Sequence, residues 1–167
     1  MKLEERLIVA VDFDPHEYGG KRHEVWKEVH TFLKHARNTN VYVKFNSFLR
    51  AFGYDLIDIV HEHRLKMFAD LKLIDIPKTM KLDGMFLQES KPDIVTVMCC
   101  AGVKGMRWLR KELPDTEVLG VTVLTSLKDP ECKAIFTCTA EEGVLRFAQW
   151  QKREVLEVLY YRHKRWT

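Results

Sequence analysis

The chain has 167 residues, of which 46% are apolar and 31% charged, and its 27 basic and 24 acidic side chains leave a formal net charge of +3. This length and composition predict one soluble globular domain with a sizeable core. The basic residues alternate with acidic ones, so the charge gives no reason to expect a nucleic-acid partner. No window approaches the ~20 apolar residues of a bilayer-spanning helix, which argues against a membrane role.

The N-terminal residues and the cysteines bear on the compartment. Residues 1–6 (MKLEER) lack the apolar stretch of a signal peptide. The adjacent Cys99 and Cys100, and the separate Cys132 and Cys138, have no partners at metal-ligand spacing. We therefore expect core thiols in a reducing, cytoplasmic protein.

Short apolar runs alternate with helical patterns along the first 124 residues. The predicted strands are 7–11, 41–45, 66–71, 94–98 and 118–124, and the predicted helices between them are 23–37, 54–63, 78–89 and 103–113. Strict alternation of this kind predicts an α/β fold with a parallel sheet and helices packed outside it. About five parallel strands would form either an open doubly wound sheet or part of a barrel.

The pattern changes after residue 124. A helical turn is predicted over 131–136, and one long helix from Glu141 to about Tyr161, with no sixth strand. The last residues, 160–166, are basic and aromatic. These features predict a partial β/α domain over 1–150 and an atypical helical basic tail over 151–167.

Four charged residues lie at predicted strand ends. Asp70 and Lys72 are two apart in an extended segment, so they should share a face at the carboxyl end of the third strand. Asp12 ends the first strand and Lys44 lies near the end of the second. Active sites of parallel α/β folds lie at this end. Charges on buried strands are costly unless paired, so the four side chains should meet.

Two interpretations of this cluster remain open at this point. It could be a structural ion-pair network that closes the mouth of a barrel. Alternatively it is an alternating array of lysines and aspartates in which each charge keeps its neighbours ionised. Such an array can place a negative charge beside a substrate carboxylate and a cation beside the carbon that gains a proton. Decarboxylation requires that arrangement.

Segment 69–72 (ADLK) followed by segment 75–79 (DIPKT) closely resembles the signature of the orotidine 5'-phosphate decarboxylase family, which makes UMP in pyrimidine biosynthesis. The similarity extends to residues 8–12, 43–44 and 121–126 and covers about residues 5–149. The resemblance implies a TIM-type β/α barrel, here partial, and a reaction without metal or organic cofactor, because electrostatic stabilisation of a carbanion replaces an electron sink.

The resemblance also implies roles for individual residues. Lys72 would be the general acid that protonates C6, Asp70 would lie against the substrate carboxylate, and Lys44 and Asp75 would complete the array. In this family the second aspartate of the signature acts across a dimer interface, so Asp75 would serve the partner's site. This sharing, together with unpaired sheet edges, predicts a homodimer or larger homo-oligomer.

The resemblance further implies substrate contacts outside the charge array. Asp12 and Lys44 would contact the ribose, Thr79 the ribose or phosphate region, and Thr125 the pyrimidine of the orotidine 5'-phosphate substrate.

The sequence also departs from the family pattern. Residues 97–100 (VMCC) lie where the family usually has a histidine, and the similarity is expected to end near residue 150. A complete barrel needs ~200 residues or more, and its last strand loops supply the phosphate site. We therefore expect the first five βα units of a decarboxylase with impaired activity. Two alternatives are a non-catalytic half-barrel remnant and a related Mg²⁺-dependent sugar-phosphate decarboxylase or aldolase, although the Ile-Pro-x-Thr continuation favours the orotidine branch.

Overall fold

The computed structural model describes the backbone of residues 7–154 and 158–160 and the side chains of residues 7–150. The strands are β1 (Ile8–Ala10), β2 (Tyr42–Phe45), β3 (Lys66–Leu73), β4 (Ile94–Met98), β5 (Glu117–Val121) and β6 (Val158–Tyr160). The helices are α1 (Arg22–Ala36), α2 (Ser47–Phe52), α3 (Asp55–Glu62), α4 (Pro77–Ser90), α5 (Val103–Glu112), α6 (Asp129–Phe136) and α7 (Ala140–Glu154). Short 3₁₀ turns cover Pro15–Tyr18 and Cys99–Ala101.

The strands form a sheet whose hydrogen-bonded order, β1-β2-β3-β4-β5-β6, is the order of the chain. β1 pairs parallel with β2, β2 with β3, and β5 with β6. A parallel pair needs a crossover connection, and helices supply it between successive strands. The predicted α/β architecture of parallel strands and connecting helices is confirmed.

Three elements, α7, β6 and α2, differ clearly from the prediction. The helix expected to reach Tyr161 ends at Glu154, and residues 158–160 form β6, with Leu119 opposite Val158 and Val121 opposite Tyr160. The expectation of no sixth strand is therefore wrong, because a short apolar run such as VLY fits a strand as well as a helix. Helix α2 was also missed, since six residues are too few for a clear helical period. Residues 161–167 of the predicted basic tail lie outside the described residues.

The chain divides into two compact units. The first unit comprises residues 1–71 and 90–94, and the second unit comprises residues 72–89 and 95–167. The boundary that the sequence suggests at residue 150 stays a prediction. No helix in the described part of the chain is long and apolar enough to cross a membrane.

The core of the first unit follows the predicted helical spacing. Val25, Val29 and Leu33 recur every four residues on α1, and each is at most 1% exposed. Such spacing places the three side chains on one helical face, and burial of that face stabilises the helix. Val43 and Phe45 of β2 are buried as well, and so are residues 67–71 of β3. The carboxyl ends of these strands therefore lie next to buried apolar side chains.

Strand β4 is buried along its whole length, and all of it except Ile94 belongs to the second unit. Helices α4 and α5 approach closely at Gly84, where an added Cβ would lie 2.8 Å from Cβ of Glu112 and 3.4 Å from Cδ1 of Leu109. Helix α7 contacts α6 through Phe147, whose ring centroid is 5.3 Å from that of Phe136. The close approach of α5 fixes the position of α4, which begins at Pro77, within the signature segment 75–79.

Candidate active site

Lys44 lies between two carboxylates at the carboxyl ends of the first three strands. Its Nζ is 3.3 Å from Oδ2 of Asp70 and 3.8 Å from Oδ2 of Asp12. The strand register explains this meeting, because Ala10 is opposite Lys44 and the next residue of β2, Phe45, is opposite Ala69. The predicted meeting of Asp12, Lys44 and Asp70 is confirmed.

The two ion pairs of Lys44 differ in strength. The side chain of Asp70 is 9% exposed and that of Lys44 19%, whereas that of Asp12 is 52% exposed. Water screens the longer, more exposed pair with Asp12, so it contributes little to stability. The pair with Asp70 lies in a medium of lower dielectric, where the attraction is stronger and the loss of one partner is costly. Asp70 is thus a buried carboxylate held beside a cation.

Lys72 belongs to the second unit and has an unusual backbone conformation. Its φ is 51°, in the left-handed region that residues with a Cβ seldom adopt. Its N–H donates a 2.9 Å hydrogen bond to Oγ1 of Thr96, a residue in the middle of β4. A left-handed residue costs about 1–3 kcal/mol, and such residues concentrate at functional sites. Regular strand alternation does not apply at Lys72, so the shared face with Asp70 stays a prediction.

Asp75 and Thr79 frame the start of α4. Asp75 is exposed, and its Oδ1 accepts a 2.7 Å hydrogen bond from the N–H of Ile76. Thr79 is half-buried in the first turn of the helix, and Thr125 is exposed four residues beyond the end of β5. Burial raises the pKa of Asp83, also on α4, and the negative charge of Asp75 raises it further. The substrate contacts of Asp75, Thr79 and Thr125 stay predictions.

A cavity of about 530 Å³ adjoins Asp12 in the first unit. Its lining residues are Asp12, Phe13, Asp14, Pro15, Gly20, Arg22, Val25, Asn46, Ser47, Phe48, Ala51 and Phe52. The guanidinium of Arg22 lies 4.3 Å from the ring centroid of Phe52 and donates to the carbonyl of Ala51. The volume is within the range of ligand pockets. Sequence reasoning missed this cavity because it did not predict α2, which supplies much of the wall.

Within the described residues, no group of three His, Cys, Asp or Glu side chains is arranged to hold a metal ion. His61 contacts Asp93, with 3.1 Å between Nε2 and Oδ2, and Nδ1 of His63 is 2.8 Å from the carbonyl of Ile59. The two imidazoles therefore have separate structural partners.

The four cysteines are free thiols. Cys99, Cys132 and Cys138 are buried, as expected of core thiols, and Cys100 is half-buried. Burial raises the pKa of Cys99 to about 12, and the neighbouring Cys100 contributes to the increase. A thiol with so high a pKa is almost entirely protonated at neutral pH and is a poor nucleophile.

The strands of the sheet follow the order of the chain, whereas the strand order of a doubly wound sheet reverses at a switch point. This order, with charged side chains at the strand carboxyl ends, places the chain among the β/α-barrel proteins. A family model narrows this class. The chain belongs to the orotidine 5'-phosphate decarboxylase / HUMPS family, whose model matches residues 5–159. The match extends past β5 and α7 into β6, so the expectation that the similarity ends near residue 150 is wrong.

Individual relatives agree with this assignment. Orotidine 5'-phosphate decarboxylase of Streptococcus sanguinis is 32% identical over 160 residues, which cover 92% of this chain and 65% of the relative. The enzyme of the same name from Syntrophus aciditrophicus is 32% identical over 155 residues, covering 87% and 59%. The chain thus spans about three fifths of the length of these curated relatives.

A solved structure supports the fold. The crystal structure of orotidine 5'-phosphate decarboxylase from Lactobacillus acidophilus matches with a TM-score of 0.74 at 24% identity, over 92% of this chain and 69% of that one. The expected partial β/α-barrel architecture is therefore confirmed.

Proposed function

We propose that this protein decarboxylates orotidine 5'-phosphate to UMP and CO₂. The observation that carries the proposal is the placement of Lys44 between Asp70 and Asp12 at the mouth of the parallel strands. Curated relatives at 32% identity carry the name of that enzyme. The family description joins two names, and these relatives carry the first of them.

The chemistry follows from the charges. A substrate carboxylate placed beside the buried Asp70 is repelled in the ground state, and the repulsion is relieved as neutral CO₂ departs. The bond from C6 to the carboxyl carbon breaks, and its electron pair stays on C6. Lys72 then transfers a proton from its ammonium to C6, and the resulting amine regains a proton from water. Fixed cations near C6 stabilise the developing negative charge.

Residues inside and outside the signature bind the substrate in this proposal. Asp12 and Lys44 contact the ribose, Thr79 the ribose or phosphate region, and Thr125 the pyrimidine. The cavity beside Asp12 adds ligand-sized space on the ribose side of the first unit.

We place Asp75 in the site of a second copy, within a homodimer or larger homo-oligomer. Apolar side chains on α4 and the segment before it support an interface there. They are Ile74, Ile76, Leu82, Met85 and Phe86, which are 44–65% exposed. Leu82, Met85 and Phe86 are spaced three and four residues apart and so share one face of α4, and exposed apolar faces of this kind are typical of interaction sites. Four free cysteines fit a reducing compartment, and the proposal therefore puts the reaction in the cytoplasm.

A non-catalytic role is the second candidate. The relatives extend well beyond the matched stretch, since the chain covers 59–65% of their length. The phosphate of a nucleotide forms its strongest contacts with a protein, because charge-assisted hydrogen bonds hold it. Binding energy from such a remote group lowers the barrier at the reacting centre. If the part of the relatives outside the match holds the phosphate, this chain keeps the charge array with little turnover.

The decisive experiment measures the loss of orotidine 5'-phosphate absorbance with purified 167-residue protein. The proposal predicts enzyme-dependent UMP formation that disappears in Lys72→Ala, which serves as the control for contaminating host enzyme. Turnover indistinguishable from the buffer blank at high enzyme concentration, together with normal folding, would establish the non-catalytic alternative. Equal turnover in the wild type and in Lys72→Ala would also refute the proposal.

A further inference from the structure

We infer that Thr96 is a positioning residue that sets the direction of the Lys72 side chain. This inference rests on the proposed role of Lys72 as proton donor. Thr96 is 1% exposed and lies at the centre of β4, where the other residues are apolar. Its Oγ1 accepts the N–H of Lys72 at 2.9 Å.

This hydrogen bond forms at the residue where the backbone of β3 leaves the extended conformation. In a regular parallel ladder, a strand N–H donates to a carbonyl of the adjacent strand. Here the N–H of Lys72 donates to a side-chain hydroxyl, and φ of Lys72 is 51°. An L-residue in this conformation brings its Cβ close to backbone atoms, so the surrounding structure must hold it there. The Thr96 hydroxyl supplies such a hold.

The backbone conformation of Lys72 determines the position of its side-chain ammonium group. A change of φ from the extended to the left-handed region rotates the Cα–Cβ bond and thus re-aims the whole side chain. Proton transfer needs the donor within hydrogen-bond distance of the accepting atom, and small misplacements are costly. Thr96 therefore acts on the reaction through Lys72, without contact with the substrate.

Three variants separate this role from a merely structural one. Thr96→Val keeps the shape and removes the hydroxyl, so the N–H of Lys72 loses its acceptor. Thr96→Ser retains a hydroxyl on Cβ. Thr122→Val is the matched control, because Thr122 is 2% exposed and its Oγ1 has no hydrogen-bond partner among the described residues.

Two readouts are measured on all three. Amide hydrogen exchange at Lys72, resolved by NMR, should accelerate at least tenfold in Thr96→Val and stay near wild type in the other two. In the decarboxylation assay, Thr96→Val should lower kcat by about 10- to 100-fold with KM changed less than threefold, because orientation and not binding is lost. Thr96→Ser should restore most of kcat.

The outcomes are distinguishable from failure of the proposed function. If the wild type shows no turnover, exchange at Lys72 still decides whether Thr96 holds the backbone. Wild-type exchange in Thr96→Val, or an equal decrease of kcat in Thr122→Val, overturns the inference. If Thr96→Val does not fold, Thr96→Ala removes the same hydroxyl with less branching and is judged by the same two criteria.

Discussion

Nζ of Lys44 lies 3.3 Å from Oδ2 of Asp70, whose side chain is only 9% exposed. A carboxylate removed from water depends on its cation, so Lys44 should support the fold as well as the chemistry. Lys44→Met, which keeps most of the aliphatic stem, should lower the free energy of unfolding by about 1–3 kcal/mol in urea titrations. Asp70→Asn in the same background should recover part of that loss. Strictly additive effects of the two substitutions would show that the pair is not coupled.

The proton donor gives the second prediction. Lys72→Ala should reduce the rate of UMP formation by about 10²–10⁴-fold, the range typical of a general acid. The fold should survive, because the side chain of Lys72 is only half-buried, and alanine keeps the Cβ and the backbone N–H that donates to Thr96. Initial rates and circular dichroism of the same preparation test both parts. Retention of more than a tenth of the wild-type kcat would show that Lys72 is not the proton donor.

Sharing of Asp75 between copies predicts complementation. Asp75→Asn and Lys72→Ala should each be nearly inactive alone. In a hybrid dimer, the site that keeps Lys72 receives Asp75 from the other subunit, so mixing and re-equilibrating the two proteins should restore up to about a quarter of wild-type activity, since random exchange makes half of the dimers hybrid with one complete site each. Sedimentation of the wild type should show a dimer or larger species. A well-folded monomer, or no recovery of activity on mixing, would show that Asp75 does not act in the site of another subunit.

Much of this architecture was predictable from local pattern. The bounds of β4 agree with the prediction, because five apolar or β-branched residues between breakers fit a buried parallel strand. The meeting of Asp12, Lys44 and Asp70 also followed, since the carboxyl ends of parallel strands lie side by side.

The remaining parts depend on tertiary structure. The left-handed backbone of Lys72 was missed because alternation assumes an extended strand at every residue. Thr96 was missed because one hydroxyl in an apolar strand has the pattern of a core threonine. The strand β6 and the cavity beside α2 depend on segments too short for periodicity to identify. Each of these features is determined by a neighbouring element that the local sequence does not reveal.

The contact between α4 and α5 gives a prediction on stability. Gly84→Ala places a Cβ 2.8 Å from Cβ of Glu112, and such overpacking costs about 1–3 kcal/mol. This exceeds the ~1 kcal/mol that alanine gains over glycine inside a helix. Gly105→Ala on α5 is the control, because its nearest contact would be 3.4 Å, from Cγ of Met80. Thermal unfolding should show a lower Tm for Gly84→Ala only; equal Tm values would mean that the helices move apart freely.

Asp93 gives a prediction on pH. Burial alone would raise its pKa, but hydrogen bonds from the His61 ring and from the N–H of Met67 outweigh burial and lower it. A carboxylate with a lowered folded pKa stabilises the protein above its unfolded pKa of about 3.9, and this contribution is lost as the pH falls through the folded value. The stability difference between wild type and Asp93→Asn should therefore shrink as the pH falls from about 5 toward 3. Urea midpoints measure it, and a difference that grows in acid would contradict the assignment.

The segment Ser90–Ile94 belongs to the first unit, although it begins at the last residue of α4 and the rest of that helix belongs to the second unit. Asp93 accepts the N–H of Met67 at 2.8 Å and contacts His61, while Oγ of Ser90 donates to Asp58 at 3.3 Å. A nascent chain that has emerged only as far as residue 71 lacks these partners. During synthesis the first unit therefore cannot complete these contacts until α4, the first helix of the second unit, has been translated.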